Sequence, residues 1–106
     1  MSVYVISRYD ITDHEKFDLY VPGVIPVLEK YQAKVVAADE NAITVDGESS
    51  QVNVIMKFPT AELVTQLYED PEYQYWLQVR LECTTNRLSV ILNEFDQTKH
   101  DKRFEE

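Results

Sequence analysis

Residues 70–81 read Asp-Pro-Glu-Tyr-Gln-Tyr-Trp-Leu-Gln-Val-Arg-Leu, a helix that carries its own start signal. Asp70 suits the N-cap, Pro71 the first helical position, and Glu72 puts negative charge where the helix dipole favours it. Counting from Tyr73, the positions i+3, i+4, i+7 and i+8 are Trp76, Leu77, Arg80 and Leu81. They form one helical face, apolar except for a guanidinium in its middle. Burying that charge alone would cost several kcal/mol. Arg80 therefore requires an acid, a row of carbonyls or an anionic ligand, and the other elements must fold around it.

Residues 2–10 alternate, with Val3, Val5 and Ser7 on one face and Tyr4, Ile6 and Arg8 on the other, and read as a first strand. Both faces are largely apolar, so both need a cover. Arg8 reads as a solvated rim residue. A helix start follows at Ile11-Thr12-Asp13-His14-Glu15, with Thr12 and Glu15 as a capping box or Asp13 as the cap. Phe17, Tyr20, Val21, Val24, Ile25, Leu28 and Tyr31 then fall on one helical face. Pro22, Gly23 and Pro26 interrupt this run, and a bend near Pro22 is expected, with a gap beneath Tyr20.

Residues 34–39 and 42–46 read as a second strand broken at Asp39-Glu40-Asn41, followed by a hairpin loop at Gly47-Glu48-Ser49-Ser50. Residues 51–58 alternate as a third strand, which Pro59-Thr60 ends. Thr60 can cap a helix whose Ala61, Val64, Leu67 and Tyr68 form a stripe, and the Arg80 helix comes next. Residues 86–95 read as a fourth strand, with Leu88, Val90 and Leu92 on one face. The domain thus spans residues 1–95, and residues 96–106 form a charged tail with Phe104 as its one apolar anchor.

The order β-α-β-β-α(α)-β is that of a ferredoxin-like α+β sandwich, a four-stranded antiparallel sheet with helices on one face. Such a fold leaves the other sheet face bare. With Tyr4 and Ile6 there, pairing of two sheets in a homodimer is the simplest remedy.

Composition narrows the partners. The formal charge of −9 is spread evenly, with 9 acids and 4 bases in residues 1–53 and 10 and 6 in residues 54–106. No basic stripe exists, which argues against nucleic acid and against an anionic membrane surface. No apolar run approaches the ~20 residues of a membrane span, and the N-terminus lacks the marks of a signal peptide. The single cysteine, Cys83, excludes an internal disulfide, suits a reducing cytoplasm, and reads as a packing or surface thiol. His14 and His100 lie in polar segments and no phosphate loop is present, so no metal and no cofactor is expected.

Tyr4-Val5-Ile6, Ile11-Thr12-Asp13, Phe17, Tyr20, Pro26, Tyr31, Ala37-Ala38-Asp39, Asp46-Gly47, Phe58-Pro59, Tyr73 and Arg80 stand in an order and spacing that resemble the domain-of-unknown-function family 1330. That family lies within the dimeric α/β-barrel superfamily, and the likeness covers about residues 3–94. It implies a ferredoxin-like fold and a homodimer whose sheets face each other, but no reaction. The chain departs from the pattern at Gln32-Ala33, where a glycine pair is typical, at Asp46, where glutamate is usual, and at His14, where proline is expected.

Within that frame Arg80 is the candidate anion clamp, Tyr20 and Tyr73 are phenolic donors, and Trp76 is an aromatic wall. Asp46, at the end of the second strand and at the acid position of the family, is the first choice of partner for Arg80. The expected function is binding of a small organic molecule, anionic or aromatic, between sheet and helices. The resemblance leaves two alternatives open. One is a cofactor-free enzyme of monooxygenase or isomerase type, and the other a structural dimer in which Arg80 is a buried ion pair.

Overall fold

The computed structural model describes residues 1–99; the Phe104 anchor, His100 and most of the charged tail lie outside them. Strands β1 (Val3–Ile11), β2 (Lys34–Asp39), β3 (Val52–Phe58) and β4 (Thr84–Asn93) form one sheet in the order β2-β3-β1-β4. Every neighbouring pair is antiparallel. Helix α1 (His14–Lys30) crosses from β1 to β2, and α2 (Ala61–Glu69) with α3 (Pro71–Cys83) crosses from β3 to β4. This is the expected α+β ferredoxin-like sandwich, followed by a short 3-10 turn at Gln97–Lys99.

The alternation of β1 sets the two sheet faces. Val3, Val5, Ser7 and Tyr9 are buried beneath the helices, where they meet Phe17, Val24, Val27 and Leu28 of α1 and Val64 and Leu67 of α2. Ser7 and Ser89, facing each other across β1 and β4, satisfy one another at 2.9 Å. The other face carries Tyr4, Ile6 and Arg8, paired with Lys57, Ile55 and Asn53 of β3 and with Leu92, Val90 and Leu88 of β4. No element of the described chain covers it, and Leu88, Val90 and Leu92 are exposed.

The helix caps follow the sequence, with one choice resolved. Asp13 caps α1 by accepting from the Lys16 amide at 3.1 Å, so Asp13 takes the cap in place of the Thr12–Glu15 box. The Thr12 and Asp13 amides instead bond the Cys83 carbonyl. Thr60 caps α2 through the Leu63 amide, and Asp70 caps α3 through the amides of Glu72 and Tyr73. α1 continues through Pro22 and Pro26 as one helix, so the bend expected near Pro22 does not divide it. Its buried stripe includes Val27, while Val21 and Ile25 sit at the edge of that face, partly in solvent.

β2 and β4 differ from expectation, β4 also ending at Asn93 in place of residue 95. β2 ends at Asp39, and residues 42–46 form no strand. The reason is the missing neighbour. β3 pairs with β2 only as far as Asn53 opposite Asp39. Beyond it, Gln51 turns toward β1, its amide bonded to Asp10 Oδ1 at 2.7 Å and its side chain accepting from the Ile11 amide at 3.1 Å. An alternating segment without a partner backbone stays a loop, and Ile43 and Val45 are left 90% and 94% exposed. β4, in contrast, starts at Thr84, two residues early. A register shift between Arg8 and Asp10, with Asn86 at φ 53°, lets Thr84 and Thr85 pair with Ile11 and Asp10.

Candidate functional site

Between α1, α3 and the helix-facing side of β1–β3 lies a cavity of about 520 Å³. Its walls are Phe17, Val24, Ile25 and Leu28 of α1 and Val35, Val52, Val54 and Met56 of the sheet. Tyr9, Tyr20, Tyr73 and Arg80 supply the polar groups of the interior, and Asp39, Glu40 and Asn41 those of the solvent-exposed edge.

Arg80 reaches this cavity because Asp70 and Pro71 fix where α3 begins, and the helical repeat then puts residues 73 and 80 on the inner face. Both are buried, Arg80 to 9% exposure. The helix ends at once. The Arg80 carbonyl accepts from the Thr84 hydroxyl at 2.6 Å and from the Cys83 thiol at 3.5 Å, and Arg87 Nη1 caps the carbonyls of Thr84 and Leu81. The position of residue 80 is thus locked from both sides.

Its charge is not neutralised. Among the described residues the ion pairs are Lys16–Glu82 and Lys30–Asp70, and none involves Arg80. Arg80 Nε is buried with no hydrogen-bond partner. The guanidinium instead stands 5.3 Å from the centre of the Tyr9 ring, within cation–π range. Tyr9, Phe17 and Tyr20 pack as a tilted aromatic series, with centroids 5.9 Å and 5.7 Å apart, and Tyr73 meets Tyr68 edge-on at 5.3 Å. Burial pushes the hydroxyls of Tyr9, Tyr20 and Tyr73 up from their ordinary range, although the nearby guanidinium opposes the shift in each. At neutral pH they are neutral donors. The interior therefore holds one positive charge, three phenolic hydroxyls and no counter-ion.

The structure brings together Arg80, Tyr20 and Tyr73 of the candidate residues, and it separates two. Asp46 lies exposed in the loop that replaces the second half of β2, and it is not among the residues that line the cavity. The expected pairing of Asp46 with Arg80 is corrected for the reason that shortens β2: no backbone is available to hold residues 42–46 against the sheet. Trp76 also lies outside the cavity lining; its ring packs against Gly23 of α1. Leu81, counted on the inner face, is exposed, and Cys83 takes the buried place at the end of that face. Tyr9, Asp39 and Glu40 complete the site, and for Tyr9 a signal existed. Strand alternation puts residue 9 on the face of Val3, Val5 and Ser7, beneath the helices.

Burial also pushes the Cys83 thiol up, as expected of a packing thiol. His14 stands exposed at the first turn of α1. No group of three or more His, Cys, Asp or Glu side chains placed to hold a metal ion occurs among the described residues, nor does any helix long and apolar enough to cross a membrane.

Residues 2–94 match the family described as domain of unknown function (DUF1330). The chain belongs to that family. No curated protein is a significant match. Among solved structures, the DUF1330 chain is similar to a protein of unknown function from Rhodopseudomonas palustris, with a TM-score of 0.78 at 16% identity over 90% of this chain and 83% of the other. It is also similar to a NIPSNAP family protein of unknown function from Agrobacterium tumefaciens, with a TM-score of 0.61 at 16% identity over 88% and 87% of the two chains. A third similar structure is a dimeric protein of unknown function and ferredoxin-like fold from Bacteroides fragilis, with a TM-score of 0.54 at 16% identity over 89% and 96%. These likenesses support the fold of the DUF1330 chain and assign it no reaction.

Proposed function

We propose that this DUF1330 protein binds a small organic molecule carrying a carboxylate, held between sheet and helices with its anionic group against Arg80. The observation that carries this reading is a buried guanidinium that no described acid neutralises, beside a cavity with apolar walls. A preorganised, buried charge binds a carboxylate more strongly than the same charge in water. The three tyrosines add donors to the same end. Because burial keeps them protonated, they are suited to hold an oxyanion and poorly suited to remove a proton. That balance favours binding over general-base catalysis.

The working unit in this proposal is a homodimer joined sheet to sheet. It is supported by the uncovered apolar face of β1, β3 and β4 and by the similar Bacteroides fragilis protein, described as dimeric. The lone buried Cys83 and the absence of a disulfide suit a reducing, cytoplasmic setting.

Calorimetry and thermal melting against a panel of small aliphatic and aromatic carboxylic acids test the reading. Saturable stabilisation is expected, with the acid recovered unchanged by mass spectrometry. Arg80→Leu should lose that response. In the absence of ligand it should shift stability by no more than about 2 kcal/mol, the scale of one lost cation–π contact, since no described carboxylate is stranded. If no acid binds, and Arg80→Leu lowers stability by the about 3–5 kcal/mol of a broken buried ion pair, the structural reading of Arg80 replaces this one.

A further inference from the structure

We infer that the ligand is an apolar-bodied zwitterion, its carboxylate at Arg80 and its ammonium group at Asp39 and Glu40 at the solvent-exposed edge of the same cavity. The inference rests on the anion reading of Arg80 and extends it to the other end of the site.

The cavity is electrically polar along its length. Its inner end holds the guanidinium, nine-tenths buried and without a partner for Nε. Its outer end is formed where β2 stops, at three successive exposed residues, Asp39, Glu40 and Asn41, all of which line it. Asp39 Oδ1 accepts from the Asn41 amide at 2.7 Å, which fixes this turn over the opening. Neither acid takes part in an ion pair among the described residues. Between the ends stand hydrocarbon walls, Val24, Ile25, Val35 and Met56. Tyr9 lines the same cavity, its ring centre 5.3 Å from the Arg80 guanidinium.

A ligand with a carboxylate at one end meets attraction at Arg80. What its far end carries then decides the match. A second carboxylate would be forced beside two like charges, on a protein whose formal charge is already −9. An ammonium group there would find two acceptors, and the zwitterion would add no net charge to the site, whereas a dicarboxylate would add two negative charges. The apolar walls ask for a carbon chain or ring between the two groups and offer it no hydrogen bonds.

The test uses the full chain and three series matched in carbon number from four to eight: straight-chain monocarboxylates, ω-amino acids and α,ω-dicarboxylates. Dissociation constants come from calorimetry at neutral pH and low salt. In the wild type, the ω-amino acid of best length should bind at least about tenfold more tightly than the dicarboxylate of that length. The double variant Asp39→Asn, Glu40→Gln keeps the Oδ1 acceptor for the Asn41 amide and removes both charges. It should weaken the ω-amino acids and tighten the dicarboxylates, moving the two series in opposite directions. If monocarboxylates bind the wild type but the double variant moves neither other series, the zwitterion inference is overturned and the anion reading of Arg80 stands. Should no member of any series bind, both are overturned.

Discussion

The indole ring of Trp76 lies so close to Gly23 that α1 has no room for a side chain there; a Cβ on residue 23 would stand 2.2 to 2.5 Å from three carbons of the ring. Glycine between two prolines in a long helix looks at first like a helix breaker. Its role here is steric. It lets α3 approach α1 through the Trp76 ring. Gly23→Ala would gain about 1 kcal/mol in helix propensity and lose about 1–3 kcal/mol to overpacking. We expect net destabilisation in urea unfolding and a red shift of Trp76 emission as the ring moves toward water. Partial recovery in the Gly23→Ala, Trp76→Leu double variant would identify the clash as the cause. A stabilised single variant would refute it.

Gln32 adopts φ 62°, in the left-handed region, directly after the Tyr31 cap of α1, where its amide bonds the Glu29 carbonyl at 3.0 Å. Glycine is the residue that takes this helix end without penalty. Gln32→Gly should therefore raise stability by about 1 kcal/mol, the lower end of the left-handed penalty for a side-chain-bearing residue. A rise in melting temperature of about 4–8 °C would show it. An unchanged or lower melting temperature would mean that the Gln32 side chain contributes more than its backbone costs.

The parts of this molecule that were legible in its sequence are those fixed by local chemistry. Asp70-Pro71 announced the start of α3, and helical spacing then put Tyr73 and Arg80 on one inner face. Strand alternation likewise separated the two faces of β1. What stayed hidden depends on distant backbone. The alternation of residues 42–46 is a strand pattern, yet a strand exists only where a neighbour offers hydrogen bonds. Nothing local reveals that Gln51 is held by Asp10 and Ile11. The expected pairing of Asp46 with Arg80 fails for the same reason, because it depends on a strand end that does not form. Trp76 shares the helical stripe of Arg80, but stripe membership does not tell which side of an inner face meets a helix and which meets a cavity.

Asp70 gathers four donors, the Tyr31 hydroxyl at 2.5 Å, the Lys30 ammonium at 3.2 Å and the amides of Glu72 and Tyr73 at 2.7 Å and 3.3 Å. The Tyr31 hydrogen bond, opposed by desolvation and aided by the amides and Lys30, lowers its pKa from the ordinary 3.8 to about 2. A carboxyl with a depressed folded pKa binds fewer protons folded than unfolded, so its stabilisation is present above the unfolded value and drains as pH falls. We expect acid melts of the wild type to lose this contribution between about pH 4 and pH 2. Asp70→Asn should be less stable at neutral pH, and its difference from wild type should shrink through that window. Tyr31→Phe, which removes the largest favourable cause, should narrow the window from its acid side. A wild-type-to-Asn difference that stays constant from pH 7 to pH 2 would refute the assignment.

The uncovered sheet face supplies the last prediction. Ile6 sits at its centre, paired with Ile55 on one side and Val90 on the other. Around this apolar strip stand charged residues, Arg8 beyond one end, and Lys57 with its ammonium 5.9 Å from the Tyr4 ring at the other. An apolar centre with a polar rim is the anatomy of a protein–protein interface. In a two-fold pairing of sheets each Ile6 lies near the axis and meets its own copy or a near neighbour. Ile6→Glu puts two carboxylates into that centre while leaving the helix-facing core of its own protomer untouched. Light scattering of the wild type should report about twice the 12.4 kDa chain mass, and Ile6→Glu should report a single chain with unchanged far-ultraviolet circular dichroism. A charge reversal on the rim, Arg8→Glu, should weaken association less, since rim charges are solvated. A wild type that runs as a monomer at micromolar concentration would defeat the sheet-to-sheet dimer. So would an Ile6→Glu variant that stays dimeric, which would move the interface to another face.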